Sequence, residues 1–588
     1  MFKPALVATL VAACFCSAQA DDIEHISIYA NRTATPEQDV LASVTVLERD
    51  DIVARQATDL PALLAQLPGI NLSRDGGRGQ NSSIYVRGGN TGHTLVLIDG
   101  VRSGSATLGY KALAMLPVEL IERIEVIRGP RAALYGSDAL SGVIAITTRR
   151  PSQLEVNVAA GSYGQVSSDL HLSHQQGDLL LQASAGASQA DGFDAQPGID
   201  TDNDGYQQKF IKLAAQYQTA VGLWQAQADV NSGFYQYDNA WSSQDQADTL
   251  NRAYLLGWQF QQGSWQHQAT LSRTLDRDAT FGPDSRSPYV TERDEFNYQA
   301  TTQLTDAVSA IAGVNWYQEQ VERSAVAYDE TSRTNRAWFT GLQYQLQALN
   351  LEATVRRDVI NHYGAQNTWQ LAAGYQLSEQ WFVWANRGSA FKAPTFNELY
   401  WPGFGNPDLQ PQESVSDELG VRYQTDTLQL TVSGFDREVT NLIQGIEQAQ
   451  NVVLAKISGA EVVLAQQWQA VSSQLAYTWL DTENAATGNM LERRPQHTIN
   501  WRGNYDAGNW SLFVTADYQS ETYQGAFAPV TELGGFTLWG IGGGYQLSDS
   551  LTLRAKVDNL LDKRYQSSAG YATAGVNFGI SLSFIPAK

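Results

Sequence analysis

Over most of its length the chain alternates apolar and polar residues. Trp224, Ala226, Ala228 and Val230 interleave with Gln225, Gln227 and Asp229, and Leu512, Val514, Ala516 and Tyr518 with Ser511, Phe513, Thr515 and Asp517. The same period of two recurs at Leu551, Leu553, Ala555 and Val557, and again at Val576, Phe578, Ile580, Leu582 and Phe584. Successive side chains of a strand point to opposite faces, so each run predicts a strand with one greasy and one wet face. Before about residue 150 the rhythm differs. Leu60, Leu63, Leu64 and Leu67 share one helical face, which predicts a helix over 56–67 stopped at Pro68-Gly69. Short buried-looking strands are expected at 83–87, 94–98, 124–127 and 143–147, punctuated by Gly and Pro. This first part therefore looks like a small α+β domain.

Alternation alone also fits a soluble β-sandwich, but three features favour a membrane barrel. The polar faces keep Gln, Asp, Lys and Arg over many strands, as a wet lumen requires. Aromatic residues recur near strand ends, as interfacial girdles do. The N-terminus also carries an export pattern: Lys3, an apolar stretch from Ala5 to Phe15, and Ala18-Gln19-Ala20 as a cleavage site. Dividing residues 150–588 by roughly 20 per strand with its connection gives about 22 strands. A barrel that wide leaks unless filled, and the N-terminal domain offers the filling. The expected fold is a transmembrane β-barrel of about 22 antiparallel strands with an N-terminal α+β plug domain inside the lumen.

Composition narrows the function. A net charge of −22 repels phosphates, so nucleic acid is not an expected partner. With 43% hydrophobic residues and only 17% charged ones, disorder is excluded as well. The only cysteines, Cys14 and Cys16, fall in the export segment, so the mature chain needs no disulfide or thiolate. Val11-Ala12-Ala13-Cys14 offers lipidation at Cys14 as the alternative to cleavage after Ala20. Later in the sequence no apolar run is long enough for a membrane helix. Gly-x-Ser-x-Gly, His-Glu-x-x-His and a phosphate loop are all missing, and no enzyme is expected. His171 and His174, the one close histidine pair, would point to opposite faces of a strand.

Several segments together resemble the TonB-dependent outer-membrane receptors. They are Leu67-Pro68-Gly69-Ile70, Ile84-Tyr85-Val86-Arg87-Gly88, Leu95 to Gly100, Ile121 to Pro130, and Arg131 to Thr148 around Tyr135-Gly136-Ser137-Asp138-Ala139. Near the C-terminus stand Asn559-Leu560-Leu561-Asp562-Lys563-Arg564-Tyr565 and a closing strand ending at Phe584, followed by Ile-Pro-Ala-Lys. The resemblance implies a signal peptide at 1–20, a TonB-box segment at 21–32, a plug at 33–149, a barrel at 150–584 and a short extension at 585–588. It also implies a monomer in the lipid of a Gram-negative outer membrane.

Within the family the chain is similar to the members that import cobalamin. The resemblance places a TonB box at Glu24, His25, Ile26, Ser27, Ile28, Tyr29, Ala30 and Asn31. A short alternating segment at a flexible terminus suits strand addition to a partner protein, here TonB. Asp200-Thr201-Asp202-Asn203-Asp204-Gly205 opens like a calcium loop, but Ile211 occupies the position where an EF-hand needs glutamate. The resemblance completes a structural calcium set with Asp194, Asp200, Asp202, Asp204, Tyr237, Asp238 and Asp248. It implies cobalamin contacts at Asn81, Ser83, Asn90, Thr107, Leu108, Arg493 and Tyr523, with a further contact at either Thr291 or Glu292. Amides and hydroxyls suit a corrin's amide rim, and an aromatic suits its apolar face.

Three functions follow from these readings. The first is TonB-driven import of cobalamin with calcium-ordered outer loops. The second keeps the fold and changes the cargo to a ferric siderophore or another nutrient chelate. A passive porin or adhesive barrel is a third, opposed by the plug-sized domain and the coupling segment.

Overall fold

The computed structural model describes residues 26–27, 29–199, 201–239, 244–445, 447–525 and 530–587, with backbone only at Ile26 and Val453. The expected export signal with Cys14, and the expectations for Glu24, His25, Ile28 and Asp200, lie outside these residues.

Twenty-two antiparallel strands form a closed barrel. The first, Glu155–Gly161, pairs with the last, Asn577–Phe584, so that Val158 faces Leu582 and Gly161 faces Gly579. Closure is obligatory in lipid, where an open sheet edge would leave N–H and C=O groups without water. The pleat sorts side chains as the alternation demands. Leu213 is 55% exposed on the outer wall, and its neighbour Lys212 is 3% exposed inside. His171 points inward to Ser184 and Asp169, whereas His174 lies on the exposed face. A run of outward rings, Trp224, Trp258, Phe260, His267 and Tyr298, stacks with centroids 4.0–6.0 Å apart near the end with short turns. Such a girdle marks a membrane interface.

One end of the barrel carries only two-to-four-residue turns, such as 177–178 and 377–380, and the other carries the long loops, such as 393–411 and 559–576, beside short ones at 162–164, 283–284 and 361–363. In barrels of this kind the long loops face outward and the short turns face the periplasm. The strands run from 7 residues at Glu155–Gly161 to 21 at Ser285–Thr305. The longest are about twice what a tilted crossing needs, so the wall projects beyond the membrane.

The N-terminal domain fills the lumen. Its five-stranded sheet has the order Val44–Leu47, Ile121–Arg128, Gly142–Thr148, Thr94–Ile98, Val101–Ser103, and a hairpin pairs Ile70–Arg74 with Ser82–Val86. Only the pair Thr94–Ile98 and Gly142–Thr148 is parallel. Leu60, Leu63, Leu64, Leu67, Ile84, Val86, Ile124, Val126, Ile144 and Ile146 form one buried cluster. The four leucines share a face as expected, but one helix over 56–67 does not form. A helix Arg49–Arg55 stops at Gln56, which is left-handed (φ 47°). A second, Leu60–Leu64, starts afresh from Asp59, whose side chain accepts Ala62 N–H, with Pro61 in its first turn. Proline needs no N–H partner there, so it begins a turn and cannot sit within a continuing one.

Buried ions tie plug to barrel. The Arg87 guanidinium lies 2.8 Å from Glu461 and 3.4 Å from Glu418, and Arg128 lies 3.3 Å from Glu461. Burial opposes the charge on Arg87, but the two glutamates overcome it and hold its pKa above the ordinary value. Ser43 Oγ donates to Glu418 at 2.5 Å and the Arg87 plane covers Phe435, so the charges are also hydrogen-bonded and packed. Such clusters add little over apolar packing, but removing one partner is expensive, about 3–5 kcal/mol, because a charge is left buried. Arg87→Met is therefore expected to loosen the plug inside an intact barrel. Hydrogen exchange at amides 84–86 should quicken while strand Leu428–Gln444 stays protected; unchanged exchange at 84–86 would show that the cluster does not hold the plug.

Candidate functional site

At the outer end the plug rises to a loop over residues 103–111. Ser105 O accepts Gly109 N–H at 2.8 Å, and Ser105 N donates to Tyr110 O at 3.1 Å. Gly109 has φ +72°, and a Cβ there would stand 2.3 Å from Thr395 and 2.7 Å from Lys392 Nζ, so only glycine fits. The barrel grips this apex from the side. Ala106 N–H donates to Thr291 Oγ1 at 3.3 Å, and Phe396 and Asn397 N–H donate to Ala106 O and Thr107 O, each at 3.3 Å. These last donors are the first N–H groups of the helix Phe396–Tyr400, which lack partners inside the helix. Leu108 is exposed at the tip, whereas Thr107 is 2% exposed with its hydroxyl on Ser105. Of the expected pair, Leu108 presents its side chain outward and Thr107 does not. Of the alternatives Thr291 and Glu292, Thr291 faces the plug and Glu292 lies on the opposite face of the strand.

Other expected contacts lie beside the apex. Asn81 is exposed and its amide donates to Asp75 at 2.8 Å. Ser83 lies opposite Ser73 in the plug hairpin. Asn90 begins a short helical turn and accepts the Arg494 guanidinium, which also lies 4.1 Å over the Tyr85 ring. Arg493 adopts φ +59°; its N–H donates to Tyr523 O, and its own carbonyl accepts Asn71, each at 2.8 Å. The left-handed turn points the two neighbouring arginines differently: Arg494 is buried against the plug, and Arg493 is partly exposed. Nothing in an Arg-Arg pair announces which one turns inward. Tyr571 also escaped the sequence reading. Its pKa is raised first by burial and then by Asp75, with Asp238 and Asp204 adding and Arg493 opposing. It thus stands where the plug hairpin, the acidic loops and Arg493 meet.

The described acidic residues occupy two neighbouring outer loops. Asp204 Oδ2 accepts Ala195 N–H at 2.8 Å, which folds the first loop back on itself. Tyr237 N donates to Asp245 O and the Asn239 amide to Gln244 O, each at 2.8 Å, which closes the second. The Tyr237 hydroxyl is pushed up to about 12, first by burial and then by Asp278 and Asp245. Among the described residues, Asp194 Oδ1 and Asp245 Oδ1 are buried without a hydrogen-bond partner. Asp202 is exposed, Asp238 is buried, and Asp248 reaches away to Arg286 at 2.5 Å. Among the described residues, no three such groups close into a preformed metal cage.

The expected coupling segment lies toward the short-turn end, and its described part is docked. Ile26–Ser27 pairs antiparallel with Thr35–Pro36. Ser27 Oγ and Tyr29 N both donate to Glu125 Oε2, at 2.7 and 3.1 Å. Tyr135 Oη donates to Tyr29 O at 2.7 Å, and the Asn31 amide donates to Glu352 at 2.8 Å. Ser27 and Ala30 are fully buried. The sequence reads as a short alternating segment near a flexible terminus. In the structure Ile26–Ser27 pairs with residues 35–36, and Glu125 and Tyr135 supply an acceptor and a donor that only the fold brings together.

Comparison with known proteins agrees with this architecture. The family descriptions "TonB-dependent Receptor Plug Domain" and "TonB dependent receptor-like, beta-barrel" match residues 36–143 and 153–560. The chain is 34% identical over 586 residues to "Vitamin B12 transporter BtuB" of Photobacterium profundum, covering 94% of this chain and 95% of that one. It is 30% identical to the protein of the same name in Vibrio vulnificus, covering 95% of each. Among solved structures, the siderophore receptor PirA from Acinetobacter baumannii superposes with a TM-score of 0.83 at 18% identity, covering 93% of this chain and 98% of that one. With the closed 22-stranded barrel and its plug, these matches place the chain in the TonB-dependent receptor family of outer-membrane proteins, which are receptors and transporters.

Proposed function

We propose that this receptor imports cobalamin. The observation that carries the reading is the outer surface of the plug, which presents Leu108 and Asn81 to solvent, with Ser83 half-buried, in a chain about a third identical to vitamin B12 transporters. An exposed apolar tip flanked by small amides and hydroxyls suits a large ligand with an amide rim and an apolar face.

Calcium belongs to the same proposal. Among the described residues no donor reaches the buried Asp194 Oδ1 and Asp245 Oδ1, and the carboxylates of one crowded site repel one another until a cation joins them. Asp194, Asp202, Asp204, Asp238, the Tyr237 oxygens and Asp200 are the proposed ligands. Asp248 would first have to leave Arg286. Energy would come from TonB, acting as a monomeric receptor's partner at residues 24–31. That segment must leave Glu125 and Tyr135 before another sheet can add to it.

Two measurements test these claims. Cyanocobalamin is expected to bind the purified receptor with calcium and more weakly after chelation, with Asp204→Asn reproducing the chelated affinity. Failure to bind cyanocobalamin alongside saturable binding of a ferric siderophore would transfer the function to the second cargo. Glu125→Gln weakens the acceptor shared by Ser27 and Tyr29, so a reporter cysteine at Ile26 should react faster with a maleimide while cobalamin affinity holds. An unchanged labelling rate would remove Glu125 as the latch.

A further inference from the structure

The plug is tied unevenly around the barrel. Ion pairs fasten it to strand Asp204–Thr219 through Lys212 and Asp99 at 2.9 Å, and to Trp265–Gly282 through Asp276 and Lys111 at 2.7 Å. They fasten it to Gln412–Gln424 and Gln450–Trp468 through Glu418 and Glu461. Arg149 meets Glu155 where the plug's chain runs into the first strand. Among the described residues, no ion pair joins the plug to 285–392 or to 497–584, but the first of these walls shares buried apolar clusters with the plug, Ile311 and Phe339 in one and Leu41 with Phe382 and Trp384 in another, whereas 497–584 shares none. On that last wall the plug is held by hydrogen bonds, among them Arg502 to Ala54 O at 2.7 Å, Asn500 to Ala65 O at 3.3 Å and three between Ser567 and the Ser73–Arg74 pair at 2.8–3.1 Å.

A cavity of about 340 Å³ lies along the same wall, between it and plug residues 57–78. Its lining begins at Phe193 and Asp204 beside the outer acidic loops and reaches Asn500 and Asp517 deeper in the barrel, passing Asp59 and Arg74. A second internal cavity, about 380 Å³, adjoins residues 31–39 and does not include the outer loops. The first cavity is thus lined from loop level inward, and it is bounded by a wall that, among the described residues, shares neither an ion pair nor a buried apolar cluster with the plug. A polar lining of this kind keeps water, so widening it breaks few direct contacts and leaves exposed groups solvated. Parting the opposite wall would strand buried charges.

We infer that cargo crosses the barrel along this wall: the plug turns or remodels away from residues 497–584 while its ion pairs and shared apolar clusters hold it to the rest of the barrel. This rests on the import reading above. The cavity is too small for a corrinoid at rest, so the passage forms only when the plug is pulled.

Paired cysteines test the asymmetry, since the chain's own cysteines are confined to Cys14 and Cys16 in the expected export segment. Ser73→Cys with Ser567→Cys bridges the weak wall. Ser43→Cys with Ser433→Cys, whose hydroxyls lie 3.2 Å apart, bridges the anchored wall. Where a disulfide does not close, a short bis-maleimide replaces it. Both bridged receptors should bind cyanocobalamin. The weak-wall bridge is expected to abolish uptake by energised cells, with restoration after reduction of the disulfide, and the anchored-wall bridge is expected to leave uptake running. The inference falls if the pattern reverses, if both bridged receptors transport, or if both are blocked. Absent cyanocobalamin binding before any bridge forms would count against the cargo reading alone.

Discussion

The structure depends on the hydrogen bonds that join its first strand to its last. Val156–Gly161 pairs with Gly579–Phe584, and that seam removes the two edges a sheet cannot expose to lipid. Closure over twenty-two strands fixes a wide bore. A bore that wide must be filled if the membrane is to hold its gradients, and the fill must come from the chain itself. The plug and its polar contacts with the wall follow from this one requirement.

Filling a polar lumen with a folded domain sets a second problem, because both surfaces carry charge. It is solved locally: Arg87 and Arg128 take Glu418 and Glu461, while Lys212 takes Asp99. These pairs make the plug costly to remove one contact at a time, yet they lie on only part of the circumference. Where they are missing, hydrogen bonds and a cavity take their place. A transporter has to combine a seal at rest with a route under load, and an uneven interface meets both demands with one fixed domain.

The two ends of the plug are prepared in different ways. Outside, the apex is clamped by main-chain bonds from residues 396 and 397, which leaves Leu108 presented while Thr107 is turned in. Toward the periplasm, the coupling segment is held by Glu125, Tyr135 and Glu352. Arg102 spans part of the distance between them: its guanidinium takes the carbonyls of Ser137 and Tyr135 at 2.9 and 2.7 Å, and Tyr135 in turn holds Tyr29. Contacts of this sort tie the middle of the plug to its N-terminal segment.

Much of the fold was legible in the residues, because a period of two is a direct imprint of the pleat. Leu213 beside Lys212, and Leu419 beside Glu418, are sorted by the wall as alternation demands, and strand number follows from length. The plug strands were also readable where Gly and Pro bracket apolar runs, as at Thr94–Ile98. What depended on tertiary structure lay outside that code. The split between Arg49–Arg55 and Leu60–Leu64 turned on one left-handed residue, Gln56, and on a capping aspartate, so the helical face of four leucines survived while the helix did not. The opposite headings of Arg493 and Arg494, the clamping of the apex by residues 396 and 397, and the docking of Ser27, Tyr29 and Asn31 all depend on partners far away in the chain. Periodicity records which face a residue occupies; only the closed barrel decides what that face meets.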